Sequence, residues 1–203
     1  LNSVRAFGTK YGSVQAEKPV KITVEHTSAN PIHHIHIGTA RNPILGDSIA
    51  RILRARGHTV LTHYYVDDVG RQTSVIAYGY QKLHEPKPES KPDHFIGTVY
   101  AITNCIIEIQ KLKKALEKGK KHEDQNELSR LNRELSEWTS ATAKLEASHP
   151  QLFTQLLTEI SKDPDPEDKI AELNLDYEKG EKEAKRLIRK VSELCLEGFR
   201  QTF

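Results

Sequence analysis

The sequence predicts an α/β fold in which a strand–helix–strand unit with a parallel sheet comes first and an antiparallel helical bundle follows. Residues 20–66 alternate between strand and helix patterns with short joints, whereas residues 94–203 repeat apolar side chains at steps of three and four. Residues 84–93 carry three prolines in ten positions and separate the two patterns. This stretch is therefore predicted to be a linker or an exposed loop.

The first half is predicted to form a βαβ unit. Residues 20–28 alternate apolar and β-branched side chains with polar ones, as strands do, and residues 59–66 form a second such run. Between them a helix is predicted over 39–56, ended by Gly57. Its apolar positions recur at helical spacing: Ile44, Leu45, Ile49, Ile52 and Leu53. The two strands should be parallel with a right-handed crossover, and RQTSVIAYGYQ should open another helix.

The second half is predicted to form three long helices and a short one at 151–161. Gly119 and Pro150 separate them, and Asp165 followed by Pro166 is typical of a helix start. Sustained spacing of this kind indicates helices that lie side by side with their apolar stripes in the core. The stripes are Phe95, Val99, Ile102, Ile106, Ile109 and Leu116; Leu128, Leu131, Leu135, Trp138 and Leu145; and Ile170, Leu173, Tyr177, Ala184, Leu187, Val191 and Leu194.

Composition excludes several classes of protein. No apolar run approaches the ~20 residues of a membrane span, and two cysteines, Cys105 and Cys195, make no disulfide framework, so a cytoplasmic location is expected. The chain has no methionine and begins at Leu1, which favours a piece of something longer. Residues 1–82 hold ten Lys and Arg against five Asp and Glu; this bias would suit an anionic ligand, although a solvated surface explains it as well.

Three histidines, His33, His34 and His36, crowd the mouth of the predicted helix. They are too close together to ligate one ion easily, and no Cys, Asp or Glu stands at a supporting spacing, so no protein-bound structural metal is expected. Phosphate binding fits the position better, because the end of a strand and the N-terminus of a helix together favour an anion. Gly38 would allow close backbone approach. A purely structural role for the histidines stays open.

The tetrapeptide His-Ile-Gly-Thr at 36–39 resembles the HIGH signature of class I aminoacyl-tRNA synthetases. The surrounding run, residues 24–72, resembles the arginyl-tRNA synthetase catalytic domain in its archaeal form. The lead-in Ser-Ala-Asn-Pro, the Ala-Arg-Asn and Gly-Asp-Ser that follow, and the run Tyr-Tyr-Val-Asp-Asp-Val-Gly-Arg-Gln carry the resemblance. The motif proper comprises Ala29, Asn30, Pro31, His36, Ile37, Gly38 and Thr39.

This resemblance implies a domain order and an activity. Residues 20–83 would be the first half of a Rossmann-like catalytic domain, 94–203 a helical insertion, and 1–19 the tail of a preceding domain or a linker. The activity implied is ATP-dependent activation of arginine and its transfer to tRNA, that is, an arginine–tRNA ligase that uses ATP with Mg²⁺. The partners would be tRNA(Arg), L-arginine and ATP, with no membrane and no DNA. A fragment of this extent is expected to be inactive alone.

The resemblance also assigns residues. His36 and Thr39 would contact the ATP phosphates, Gly38 would leave room for adenine and ribose, and Glu25 and Asn30 would hold the amino and carboxylate ends of arginine. The chain departs from the family at three positions and lacks the second, lysine-rich signature. Thr39 replaces a histidine, His33 stands where Lys or Gly is common, and Asp67 stands where Asn is usual.

Simpler interpretations remain for several of these residues. Glu25 would otherwise be an edge-strand surface acid, and Asp47 and Asp68 would serve helix ends. The alternative function is a non-catalytic helical module that binds tRNA or protein on a degenerate nucleotide-binding half-fold. The charged run at 112–138 could make such contacts, or it could be a solvated face of the bundle.

Overall fold

The computed structural model describes residues 1–119 and 125–202, which form eight helices, a short 3₁₀ turn and two strands. In chain order they are α1 (Asn2–Phe7), β1 (Lys21–Glu25), α2 (Ile37–Ala55), β2 (Thr59–His63), α3 (Arg71–Lys82), α4 (Pro92–Gly119), α5 (Gln125–Ser148), α6 (Pro150–Ile160), α7 (Pro166–Lys179) and α8 (Lys182–Arg200). The 3₁₀ turn spans Gly8–Lys10. Part of the charged run 112–138, residues 120–124, lies outside the described residues.

The chain divides into two compact units. One, called the αβ unit here, consists of Leu1–Asn30 and Ile35–Asp67; the other, the helical unit, consists of Pro31–His34 and Asp68–Phe203. Helix α3 packs within the helical unit, although it lies inside the stretch 20–83 of the sequence analysis. The predicted domain boundaries at 19, 83 and 93 refer to a larger catalytic domain, and they stay a prediction.

The αβ unit contains the predicted β–α–β succession. Strands β1 and β2 are parallel, with Lys21 opposite Thr59 and Glu25 opposite His63. β1 is shorter than predicted because Thr27 and Ser28 take φ values of 70° and 39°, which turn the chain out of the sheet. Gly57 follows α2 with φ of 84°, as a glycine after a helix C-terminus commonly does.

The apolar residues of α2 are largely exposed. Gly46 and Ala50 are the residues of this helix that are buried, whereas Ile44 and Ile52 remain 69% and 62% exposed. Two strands and one helix therefore leave most of the stripe of α2 uncovered among the described residues.

The helical unit contains the core. Residues 73–80 of α3 are all buried, and α8 contributes a buried face that includes Leu187, Ile188 and Val191. The main apolar cluster includes the predicted stripe residues Ile102 of α4 and Ile170 of α7, together with Phe153 of α6. A smaller cluster of Leu112, Leu116 and Leu131, with Leu135 and Trp138 against it, joins α4 to α5.

One sequence prediction in this unit was wrong in detail. The third long helix is in fact two helices, because Gly180 adopts a left-handed conformation with φ of 89° between α7 and α8. The predicted helix start is confirmed: Asp165 is the N-cap residue of α7 and Pro166 is its first residue, although the Asp165 side chain makes no capping hydrogen bond. Its carboxylate instead lies 3.2 Å from the ammonium of Lys114. Among the described residues no helix is long and apolar enough to cross a membrane.

Candidate functional site

The turn that begins α2 is closed by its own side chains. His36 is the N-cap residue, and its Nδ1 accepts a hydrogen bond of 3.0 Å from the Gly38 N–H. The Thr39 side chain completes the arrangement. Its hydroxyl oxygen accepts a hydrogen bond of 3.1 Å from the His36 N–H, and the hydroxyl group donates one of 2.9 Å to the His36 carbonyl. This reciprocal arrangement is a capping box, which satisfies backbone groups that a helix start would otherwise leave unpaired.

The capping bond fixes the tautomer of His36. Because Nδ1 accepts from a backbone N–H, the neutral ring carries its proton on Nε2. An Nε2–H group is a hydrogen-bond donor, and it stands on an exposed side chain at the N-terminus of a 19-residue helix. The positive end of the helix dipole and this donor together favour a negatively charged ligand.

Gly38 is required for this geometry. A Cβ atom at position 38 would lie 2.8 Å from His36 Cε1 and 3.0 Å from Nδ1. Any larger residue would therefore push the imidazole away from the capping bond. The glycine thus serves the histidine ring in addition to whatever room it leaves for a ligand.

The loop after β1 is tied to the segment after β2. Ser28 donates from its hydroxyl to Glu25 Oε1 at 2.9 Å and accepts from the Tyr65 N–H at 3.1 Å. A second bond joins the same two segments: the Tyr64 hydroxyl donates to the Ala29 carbonyl at 2.6 Å. Glu25 is the last residue of β1, so these bonds hold its carboxylate at the carboxyl edge of the sheet, where ligands bind in open α/β sheets.

The same loop holds strained backbone. Thr27 is β-branched, and its φ of 70° is a conformation that such residues rarely adopt. Its hydroxyl lies 3.0 Å from His26 Nδ1. Gly46 of α2 lies directly against this histidine, since a side chain at 46 would collide with the His26 ring. The predicted site residues did not include Ser28, Tyr64, His26 or Gly46.

The predicted motif is divided between the two units. His36, Ile37, Gly38 and Thr39 lie in the αβ unit together with Glu25, Ala29 and Asn30. Pro31 is buried, and with His33 and His34 it belongs to the helical unit. There His33 Nδ1 lies 2.8 Å from the His34 carbonyl, and the His34 ring stacks on that of His94 at 4.5 Å. The histidines therefore do not form one cluster within one unit.

The aspartates weighed in the sequence analysis have protein partners. Asp47 pairs with Arg51 one turn along α2, at 2.6 Å between exposed side chains. Asp68 accepts a hydrogen bond of 2.7 Å from the Tyr177 hydroxyl. Burial, and then this bond to Asp68, raise the pKa of Tyr177 above its ordinary value. Within the described ranges no group of three or more His, Cys, Asp and Glu side chains could hold a metal ion.

Comparison with known proteins gives a consistent result. The profile of the family described as "tRNA synthetases class I (R), catalytic domain" matches residues 1–191. The arginine–tRNA ligase of Sulfolobus acidocaldarius is 44% identical over 193 residues, which are 95% of this chain and 31% of that protein. The arginine–tRNA ligase of Pyrobaculum aerophilum is 41% identical over 206 residues, covering 100% of this chain and 32% of that one.

A further relative and a solved structure complete the comparison. The arginine–tRNA ligase of Sulfurisphaera tokodaii is 43% identical over 97% of this chain and 31% of its own length. The solved Thermus thermophilus arginyl-tRNA synthetase is 30% identical, with a TM-score of 0.40, over 74% of this chain and 22% of that one. The chain thus spans about a third of the length of the curated relatives that it matches.

Proposed function

Since the chain belongs to the family of class I tRNA synthetase (R) catalytic domains, we propose that it is part of an arginine–tRNA ligase. Such an enzyme activates arginine with ATP and transfers the arginyl group to tRNA(Arg). Residues 20–83 are then the first half of a Rossmann-like domain and 94–203 its helical insertion, joined by 84–93, and 1–19 lead in from a preceding domain or linker. The capped turn at His36 is the observation that carries the proposal.

The first reaction joins the arginine carboxylate to the α-phosphorus of ATP and releases pyrophosphate. Chemistry of this kind depends on positioning and on donors aimed at developing negative charge. The Nε2–H of His36 is such a donor, and the capping bond from Gly38 keeps the proton on that nitrogen. The positive end of the dipole of α2 adds to the same field.

Thr39 has a different part in this proposal. Its hydroxyl proton is donated to the His36 carbonyl, so contact with a phosphate oxygen requires the hydroxyl to turn away from that carbonyl. We therefore assign Thr39 first to the geometry of the turn and second to the ATP phosphates. A histidine, which is usual at this position, would bring a cationic donor in place of the capping hydroxyl.

Glu25 and Asn30 are assigned to arginine. The Glu25 carboxylate suits the α-ammonium group, and the Ser28 hydroxyl bonded to it restricts its rotamers. Asn30 is exposed at the end of the same loop and offers an amide for the carboxylate end. ATP enters with Mg²⁺ as substrate, no structural metal is invoked, and the protein acts in the cytoplasm.

The proposal is tested by arginine-dependent pyrophosphate exchange with the complete protein that carries this chain. Exchange should require arginine and should not be supported by lysine, which has a similar length and charge but no planar guanidinium. The isolated 203-residue chain should show no arginylation. Equal exchange with arginine and lysine, or arginyl-tRNA formed by the isolated chain, would refute the assignment and favour a non-catalytic binding module.

A further inference from the structure

Two consecutive residues after β1 take a backbone conformation that non-glycine residues rarely adopt. Thr27 has φ of 70° and Ser28 has φ of 39°. This conformation is especially unfavourable for Thr27, which is β-branched. Backbone strain of this kind persists only where the surrounding contacts fix the chain. The αβ unit supplies such contacts on both sides of the turn, and they lead to the Glu25 carboxylate.

His26, the residue before the turn, is fixed by two other elements of the αβ unit. Its N–H donates to the His63 carbonyl at 3.1 Å, which continues the pairing of β1 with β2 by one residue. Its ring lies against the buried Gly46 of α2, where a Cβ would be 3.1 Å from His26 Cδ2 and closer still to Cβ and Cγ. The imidazole therefore has no room to move toward α2, and its backbone is held by β2.

This fixed imidazole holds Thr27. His26 Nδ1 and Thr27 Oγ1 lie 3.0 Å apart, so a hydrogen bond joins the two side chains. Both residues are half-buried, which strengthens a hydrogen bond relative to one in water. The bond thus ties the strained residue to a group that is itself held by α2 and β2.

The turn brings the Ser28 hydroxyl to Glu25. The hydroxyl donates to Glu25 Oε1 at 2.9 Å and accepts from the Tyr65 N–H at 3.1 Å. Because the φ values of Thr27 and Ser28 set the direction of the chain here, an extended Thr27 would carry this hydroxyl away from the carboxylate. A continuous series of contacts therefore runs from Gly46 through His26, Thr27 and Ser28 to Glu25.

We propose that His26 and Thr27 are positioning residues for arginine, since their hydrogen bond keeps the turn in the conformation that aims the Glu25 carboxylate at the α-ammonium group. The inference rests on the proposed function, under which Glu25 binds that group. A carboxylate that is already in place binds an ammonium group with less loss of side-chain freedom. A turn that served only to end β1 would affect the stability of the αβ unit and leave the affinity for arginine unchanged.

The test measures arginine binding to the complete protein by isothermal titration calorimetry. Thr27→Val keeps the shape and the β-branching and removes the hydroxyl, whereas Thr27→Ser keeps the hydroxyl. Thr27→Val should raise the Kd for arginine about 5-fold, the scale for one neutral hydrogen bond, and Thr27→Ser should bind as the parent does. Partial unfolding would lower the number of sites per chain without changing Kd. Equal losses of affinity in the two variants would overturn the proposal, because the hydroxyl would then not be the cause.

The other partner in the bond is tested in the same way. His26→Phe keeps a ring against Gly46 and loses the bond, whereas His26→Asn offers both a donor and an acceptor to Thr27. His26→Phe should raise Kd about 5-fold, and His26→Asn should retain parental affinity. The double variant with His26→Phe and Thr27→Val should bind about 5-fold more weakly rather than about 25-fold, because both changes remove one shared bond. A fully additive loss would overturn the pairing.

Thr23→Val is the matched control, because Thr23 is an exposed residue of the same strand; it should leave Kd unchanged. Pyrophosphate exchange by Thr27→Val should show a higher KM for arginine, with KM for ATP and kcat unchanged. An equal rise in both KM values would mean a general disturbance of the αβ unit and would overturn the inference.

The parent protein separates this inference from the proposed function. If the parent binds arginine and Thr27→Val binds it equally well, the positioning role is wrong and the proposed function stands. A parent that binds no arginine refutes the proposed function, and the inference with it.

Discussion

The two units of this chain bury their apolar side chains to very different extents. In the helical unit Ile102, Leu156 and Leu187 are 0–1% exposed. In the αβ unit Ile44, Ile52 and Leu61 are 69%, 62% and 54% exposed, and Ala50 is the one described residue of that unit in the buried hydrophobic set. The residues assigned to ATP and arginine all stand on the αβ unit.

The difference follows from the number of elements in each unit. Two strands and one long helix cannot enclose a core, whereas six helices packed on several sides can. At about 25 cal/mol per Å² of buried apolar surface, the helical unit therefore gains most of the hydrophobic stabilisation of this chain. In this chain the residues that we assign to the substrates thus stand on the unit that contributes less to stability.

Polar interactions show the same contrast. In the helical unit Arg71 binds both oxygens of Glu167 at 2.7 and 2.8 Å and also reaches Glu108 at 2.7 Å. The hydrogen bonds from Arg71, and then its charge and that of Lys111, hold the pKa of Glu167 below its ordinary value. In the αβ unit the pair of Arg51 and Asp47 joins side chains that are 75% and 49% exposed, and such pairs add little.

The largest expected effect is a difference in the free energy of unfolding between two variants, each with one isoleucine replaced, one in each unit. Ile102→Ala should lower the free energy of unfolding by about 2–5 kcal/mol, because it leaves a cavity in a filled core. Ile52→Ala, at a 62% exposed position, should change it by less than about 0.5 kcal/mol. Urea unfolding of the 203-residue chain, followed by circular dichroism, measures both. Similar losses in the two variants would mean that the αβ unit has a core of its own.

The second effect separates activity from stability. In the complete protein His36→Ala should lower the rate of pyrophosphate exchange about 10²- to 10³-fold, mostly in kcat, because a donor to developing charge is lost. The unfolding of the helical unit should not change. His58→Ala, in the same αβ unit, is the control and should exchange at the parental rate. A folded His36→Ala variant with parental exchange would make His36 a capping residue only.

The third effect concerns the ion-pair network and pH. The pKa of Glu167 is lowered in the folded state from 4.5, so its contribution to stability is complete above pH 4.5 and is lost as pH falls through the lower folded-state value. Glu167→Gln should cost about 1.5 kcal/mol at pH 7 and should flatten the loss of stability below pH 4.5. Glu172→Gln, also on α7 but 61% exposed, should do neither. Urea titrations at pH 7 and pH 3.5 test both variants.

The smallest effect tests whether the αβ unit positions its substrate groups. Ser28→Ala removes the hydroxyl that bridges Glu25 to the Tyr65 N–H. We expect about 1 kcal/mol of lost arginine binding, seen as a roughly 5-fold higher KM for arginine with little change in kcat. Ser48→Ala is the matched control, since its hydroxyl donates to the Ile44 carbonyl within α2. An unchanged KM in Ser28→Ala would show that Glu25 does not depend on this bond.

Local patterns were sufficient to predict the β–α–β succession and most stripe residues of the helical core. They failed at Gly180, because the step of seven from Tyr177 to Ala184 continues the helical register across the break. A basic residue followed by glycine, here Lys179 and Gly180, is typical of a helix C-terminus. Periodicity alone, however, cannot distinguish one long helix from two helices that share the same register. The exposure of the apolar stripe of α2 depends on which other elements pack against it, and the periodicity of the sequence does not contain that information.

The candidate site could be predicted only where residues that are close in sequence form its hydrogen bonds. The turn from His36 to Thr39 is closed by bonds between residues two and three apart, so the tetrapeptide contains all its parts. The role of Ser28 depends on a backbone group 37 residues away. The membership of His33 and His34 in the helical unit likewise depends on contacts with Gly97 and His94 in α4, which no local pattern contains.

Hydrogen exchange of the 203-residue chain tests most directly whether the αβ unit, which carries the assigned chemistry, is the less stable of the two. The backbone amides of β1 and α2 should exchange at least about 100-fold faster than those of α3 and α8, because opening a unit without a core costs little free energy. Mass spectrometry of peptides from the four elements, sampled from seconds to hours at pH 7, gives the comparison. Equal protection of α2 and α3 would contradict the claim that stability and chemistry are divided between the units.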